Sequence, residues 1–338
     1  MRSKGFDMKR ATNADGRFRV FVSTDLGGDP DDIQSLVHLL HYSDVLRLEG
    51  IISTTGPGAK NSVAKITEWV KRTDLDYLRD KGHTELMSEQ QVIDIVRQGT
   101  RQPGTPQNNG GNEATDLLVE CARRDSDACL WVLVWGAMTD VAQALHDAPD
   151  IAANIRINSI GGANTRHDPE SRRYVYQHMG DKWQELWWIE DGMLPGNFKY
   201  PPFFGYWYDD DPEGPYGSIG FLNRVIRGSG TRSRSRFDEV LGNAFPTGRQ
   251  GQIGRTGILK EGDSPTFMYL LSSVIGNVGD PNNPTAASWG GRWYQPFPKS
   301  FPNYYTDLDE PPEVYWEEMK KWRPDFLADW EKRWKWYD

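Results

Sequence analysis

Cysteine is nearly missing: Cys121 and Cys129 are the only two in 338 residues. Their spacing fits neither a zinc site nor a disulfide framework, and both read as small buried side chains. No apolar run is long enough to cross a bilayer. The first thirty residues lack the apolar stretch of a secretory leader, which places the chain in the cytoplasm unless a leader has been removed. Positive charge is not in excess. The net charge is −9, which argues against a broad electrostatic hold on nucleic acid. No phosphate-binding loop, dinucleotide-type glycine fingerprint, nucleophile-elbow serine or zinc-protease helix occurs. Tryptophan, by contrast, is abundant. There are 14, weighted to the second half; exposed indoles stack on sugar rings or partners, but packing is the commoner role.

The pattern along the chain alternates strand and helix. RFRVFVST (17–24) is a β-former run that reads as a buried strand, and DDIQSLVHLLHYSD after it has helical spacing. Leu46–Ser53, Leu130–Trp135 and Ile155–Ile160 read as further strands. Ala59–Lys71, Glu113–Arg124, Met138–His146 and Ser264–Ile275 read as helices, with a Gly-, Asn- and Pro-rich loop at 99–112. This predicts an α/β fold with a mostly parallel, Rossmann-like sheet flanked by helices. Ligands of such sheets bind beyond the carboxyl ends of the strands. Three of those ends, STDLGGDPDD, STTGPGAKN and WGAMTD, would share one rim. Residues 1–16 read as a tail and 17–295 as the main domain. The Pro- and aromatic-rich region after about 195 would elaborate the rim, and 296–338 would form a C-terminal extension. In that extension Trp316, Met319, Trp322, Phe326, Trp330 and Trp334 lie at near-helical spacing interrupted at Pro324, as in a terminal helix packing its aromatic face on the body.

The acidic loop has an ordinary reading. Asp29-Pro30-Asp31-Asp32 is a good helix start, with a capping aspartate, a proline at the first position and carboxylates in the first turn. That leaves Asp25 unexplained. Gly27 and Gly28 let the chain turn back, so four carboxylates crowd within eight residues. Each close pair costs only about 1 kcal/mol in water and several times more in a part-buried cleft. A bound cation removes that repulsion, and carboxylate oxygens suit calcium. The loop lacks the alternating EF-hand pattern, so a site here must draw on distant residues.

These residues carry a resemblance. Asp25-Leu-Gly-Gly-Asp-Pro-Asp31-Asp32, after a strand and opening a helix, resembles the signature loop of the nucleoside hydrolase superfamily, in the form of its nucleoside-hydrolase-like cellulose-binding branch. Glu49–Thr55 with Asn61, Val134–Asp140, Glu261-Gly-Asp263-Ser-Pro265 and Ser288–Trp293 are similar to further segments in the same order, so the likeness spans roughly residues 17–295. The resemblance implies a calcium ion held by Asp25, Asp32, Asp263 and the main-chain carbonyl of Trp135. Asp31 would hold a sugar hydroxyl, and Asn61 could line the same pocket. A water activated by the metal and deprotonated by Asp25 would attack the anomeric carbon with inversion. Small sugars or nucleosides are the implied partners, with no nucleic acid or membrane, in a homodimer or tetramer.

Departures from the family pattern leave alternatives open. The nucleoside-cleaving enzymes carry a histidine before the late aspartate, where this chain has Gly262; Glu261 could replace it as leaving-group acid. His167, at a strand end, is another candidate acid. The family's Glu-x-Asn clamp on the sugar has its nearest counterparts in Glu190, Asp191 and Asn197, after an inferred strand Trp187–Ile189. Asp29 competes with Asp31. His38 and His41 are expected in surface or packing roles, and the arginines at 232, 234 and 236 in a solvated loop. Three functions follow: a calcium-dependent hydrolase of N- or O-glycosides, a non-catalytic carbohydrate-binding protein that keeps the metal, or a protein in which the metal only staples the loop.

Overall fold

The computed structural model describes residues 9–27, 31–57, 62–192, 211–228 and 259–338. Asp29, Asn61, Asn197 and the arginines at 232, 234 and 236 lie outside them. Among the described residues the strands are β1 (Phe18–Thr24), β2 (Leu46–Ser53), β3 (Val96–Gln98), β4 (Leu130–Val134), β5 (Ile155–Ile160), β6 (Trp187–Asp191), β7 (Trp293–Tyr294) and β8 (Tyr304–Asp307). They form one sheet in the order β3-β2-β1-β4-β5-β6-β8-β7. Every pairing is parallel except β7 with β8. The expected α/β architecture is therefore present.

The helices are α1 (Asp31–Leu40), α2 (Val63–Thr73), α3 (Leu75–Asp80), α4 (Glu89–Asp94), α5 (Glu113–Arg123), α6 (Thr139–Asp147), α7 (Ala163–His167), α8 (Pro169–Asp181), α9 (Pro265–Val274), α10 (Pro312–Lys320) and α11 (Arg323–Trp334). Their starts follow local chemistry. Ser62 caps α2 by accepting from Lys65 N at 3.3 Å, so that helix begins at Val63 and not at Ala59. Asn112 and Thr115 form a reciprocal box at the start of α5. The terminal helix expected with an interruption at Pro324 is two helices. The break falls at Lys321–Trp322, and Pro324 sits in the first turn of α11, where a missing N–H costs nothing.

Alternation along the strands sends side chains into two cores. Val20, Val22, Trp131, Leu133, Trp187 and Ile189 join one, beneath α1, α2, α9 and α11. Phe21, Val132, Val134, Ile157 and Trp188 join the other, beneath α5, α6 and α8. The segment after residue 295 contributes more than helices: β8 inserts between β6 and β7. Pairing across a sheet is set by tertiary register, and a four-residue strand in YYTDLD has no local period strong enough to announce it.

Cys121 and Cys129 are buried and unbridged, and burial pushes the Cys121 thiol up to about 12. His38 and His41 are fully buried, so the packing role is the observed one. No helix among the described residues is long and apolar enough to cross a membrane.

Candidate metal centre

The carboxyl ends of β1, β2 and β4 meet with no room to spare. A Cβ on Gly136 would lie 2.6 Å from Thr54 Cγ2 and 3.0 Å from Asp25 Cβ, and one on Gly56 would lie 1.5 Å from Asp25 Oδ2. Only glycine lets the backbone approach this closely, so the Asp25 carboxylate, 5 % exposed, fills the space a side chain at 56 would need.

Asp31 and Asp32 from the first turn of α1 meet Asp263 from the loop before α9. Each offers a carboxylate oxygen within 4.8 Å of the others, and Asp32 and Asp263 are buried. Oxygens on one calcium ion, each roughly 2.4 Å from it, lie within about 5 Å of one another. An all-carboxylate set at this spacing fits a hard divalent cation. Two further groups stand close. Thr24 Oγ1 donates to Asp32 Oδ1, and the buried Lys260 ammonium lies 3.6 Å from Asp31 Oδ2.

The trio brings together Asp32 and Asp263 of the expected ligands, with Asp31 beside them. Asp31 and Asp32 both sit in the first turn of α1, whereas Asp25 ends a strand and packs on Gly56. The Trp135 carbonyl accepts from Asn164 Nδ2 at 2.8 Å, and its indole donates to Thr266 Oγ1 at 2.8 Å. Asn164, on α7, was not anticipated. The Gly161-Gly162 pair at a strand end was the available signal, since the polar residues just beyond it fall on the rim.

The candidate acids part company. Glu261 is buried, and His38 Nδ1 donates to its Oε1 at 2.6 Å, so the carboxylate is turned into the α1 interface. His167 is partly exposed on the rim, with its Nε2 2.9 Å from Thr55 Oγ1.

Glu190 is turned away from the acid trio. The strand expected to end at Ile189 runs to Asp191, so alternation points Glu190 to the α8 face. There it takes two bonds from Arg172, at 2.9 and 2.7 Å, and one from Tyr304 Oη at 2.6 Å. Buried and bidentately paired, its carboxylate is held between α8 and β8.

Two more aspartates hold the rim together. Asp140 accepts from Thr54 Oγ1, Thr100 N and Asn112 Nδ2 at 2.7, 3.0 and 3.0 Å, which pins the 99–112 loop. Asp168 caps α8 through Ser171 N and also accepts from Gly104 N.

Asp191 faces the side opposite Glu190 and accepts from Trp293 Nε1 at 2.5 Å. Burial first, and then the neighbouring Asp307, push its carboxyl well above the usual range. A raised carboxyl pKa adds stability below the ordinary value near 3.8 that is lost as pH rises through the shifted value. Asp191→Asn keeps an acceptor for Trp293 and removes the charge. It is expected to melt higher than the wild type at neutral pH, with the gap closing towards pH 4; scanning calorimetry across that range checks it.

Fold and site together define an α/β protein of nucleoside hydrolase-like architecture. The sequence matches the family model "Cellulose-binding Sde182, nucleoside hydrolase-like domain" over residues 19–293, and the chain belongs to that family. Among solved structures it resembles a nucleoside hydrolase-related hypothetical protein from Saccharophagus degradans associated with carbohydrate metabolism. The TM-score is 0.67 at 20 % identity, over 95 % of this chain and 72 % of that one. It is also similar to an inosine-guanosine nucleoside hydrolase, with TM-score 0.52 and 14 % identity over 89 % and 97 % of the two chains. A plant nucleoside hydrolase gives 0.50 and 13 % over 90 % and 98 %. At these identities the likeness is one of fold. No curated protein sequence matched.

Proposed function

We propose that this chain is a calcium-dependent hydrolase of an N- or O-glycosidic bond to a pentose-like sugar. The observation that carries the proposal is the convergence of the Asp31, Asp32 and Asp263 carboxylates within 4.8 Å of one another, with Thr24 at the end of β1 bonded to Asp32. Carboxylates so crowded repel strongly unless a cation joins them. Bound there, calcium would grip sugar hydroxyls and lower the pKa of a water. Asp31, Asp32 and Asp263 would hold the ion. Asp25, next in the chain to the Thr24 that bonds Asp32, would take the proton from the attacking water. His167 is the partly exposed acid on the same rim and would protonate the leaving group, because Glu261 is engaged by His38. Asn164 and the Trp135 carbonyl would line the sugar's side of the cleft.

A second reading, sugar binding without turnover, is favoured by one observation: position 262 carries no side chain and its neighbour Glu261 faces inward. The experiment that separates them is a broad panel of nucleosides and pentosides incubated with the calcium-loaded protein and with Asp25→Asn. Cleavage by the wild type that falls at least a thousandfold in the variant, the scale expected on losing an essential base, supports the enzyme. Calcium-dependent sugar binding in calorimetry with no cleavage of any member supports the binder and overturns the enzyme.

A further inference from the structure

One face of α1 is polar where a packed helix face is ordinarily apolar. Asp31, Gln34, Ser35 and His38 follow the helical repeat, and all but Asp31 are buried. Each of them meets the segment 260–264, more than two hundred residues later. Asp31 pairs with Lys260 Nζ at 3.6 Å. Gln34 Oε1 accepts from both Lys260 N and Glu261 N, at 2.7 and 3.1 Å. Ser264 Oγ donates to Ser35 Oγ at 3.0 Å, and His38 Nδ1 donates to Glu261 Oε1 at 2.6 Å.

The segment so held is under strain. Glu261 has φ of +34°, in the left-handed region that side chains with a Cβ disfavour. Such a backbone persists only where its surroundings overdetermine it. Here the overdetermining contacts are Gln34 on the Glu261 amide and His38 on its carboxylate.

His38 is itself fixed from behind. Its ring stacks on Trp330 of α11, with centroids 3.7 Å apart and planes 11° apart, and meets Phe267 edge-on at 5.4 Å. Its Nε2 has no partner among the described residues, so Nδ1 carries the ring's polar tie. Trp330 lies beyond the residues that match the family model.

We propose that the Gln34–Ser35–His38 stripe is the device that sets Asp263 against Asp31 and Asp32, with His38 as its principal positioning residue. Beside the Asp31–Lys260 pair, the stripe supplies four hydrogen bonds between two segments more than two hundred positions apart, and so bears directly on the distance between their carboxylates. Gly262 gives the segment no side chain to anchor, so Asp263 is held between Glu261 on one side and Ser264, with Thr266 on its carbonyl, on the other. The proposal rests on the cation reading above for its functional consequence, and its test separates the two.

The intact chain is titrated with calcium in a calorimeter and with terbium by luminescence. In parallel, amide hydrogen exchange is followed on the calcium-free protein. His38→Leu is expected to weaken calcium binding by about tenfold or more, the usual effect of losing a group that orients ligands from behind. It should also lengthen the list of waters on bound terbium by one or more, read from the lifetime difference between H2O and D2O. His38→Asn, whose amide nitrogen can replace Nδ1, should recover most of the affinity. Tyr42→Phe removes the 2.9 Å bond to Asp329 from the turn just after α1 and should leave calcium affinity unchanged. Gln34→Leu should speed exchange at the Lys260 and Glu261 amides without any metal present. Wild-type calcium affinity in folded His38→Leu, with unchanged exchange at those amides in Gln34→Leu, overturns the proposal. A wild type that binds neither ion, while Gln34→Leu still speeds that exchange, overturns the cation reading and upholds the stripe as what holds the segment.

Discussion

Asp263→Asn is expected to abolish the calcium-dependent rise in melting temperature and to leave the calcium-free protein melting no lower than the wild type. The opposite responses come from one cause. With the ion bound, Asp263 is one of three carboxylates within 4.8 Å, and its loss removes the charged ligand that the trio draws from the segment before α9. At calcium one hundred times its dissociation constant, binding stabilises the wild type by about 2.7 kcal/mol, and the variant forfeits that gain. Without the ion the same carboxylate repels Asp31 and Asp32, so neutralising it relieves the crowding. A merely structural aspartate would lower the melting temperature in both conditions. Differential scanning fluorimetry in calcium and in chelator decides between them, and a fall of equal size in both would end the case for a cation at this point.

Trp330→Ala is expected to destabilise the protein by about 3–5 kcal/mol, the range for emptying a large aromatic from a packed core. Trp330 is fully buried. It stacks on His38 and on Phe221, at 3.7 and 5.8 Å, and its Nε1 donates to His41 Nδ1 at 2.9 Å. Alanine would leave a cavity and deprive the buried His41 of a donor at once. His41 has no easy substitute, because burial already holds its ring well below the usual pKa and so in the neutral form. Its Nε2 is engaged with Tyr337 Oη at 2.7 Å. Trp330→Phe restores most of the volume and should recover more than half the loss. Equilibrium denaturation in urea checks both, and a loss below about 1 kcal/mol for alanine would show that α11 is only loosely seated on α1.

The tryptophan-rich tail thus has a definite mechanical place. Met319, Phe326, Trp330 and Trp334 are buried, while Trp316 and Trp322 pack partly exposed against the same core. Arg333 adds a tie on the other side of α1, pairing with Asp44 at 2.7 Å and lying 3.9 Å over the Tyr42 ring. The tail braces the far end of the helix whose near end carries Asp31 and Asp32.

Several features were legible in the residues alone because the forces behind them act over a few positions. The period of RFRVFVST and LWVLVW sets strands, and the period of DDIQSLVHLL sets a helix. Carboxylates in its first turn favour that end of it. Glycine where strands crowd, at Gly56 and Gly136, was visible as composition but acquired its reason only when Asp25 was found packed against both. Asp263 entered as a distant member of a metal site only through the family resemblance carried by Glu261-Gly-Asp263-Ser-Pro265.

What the tertiary structure alone decided is which side chains meet. Four acids stand within residues 25–32, and only the course of the chain brings Asp31 and Asp32 to Asp263. Glu190 meets Arg172 and Tyr304 because β6 runs two residues further than its apolar run, and one step along a strand exchanges one face of the sheet for the other. Glu261 was expected to face a leaving group and instead meets His38, a contact across 223 positions. Local sequence sets period, caps and turn geometry because those depend on neighbours within a turn or two. Encounters between residues hundreds of positions apart depend on strand order and helix packing, and these are decided by burying the whole of two cores at once.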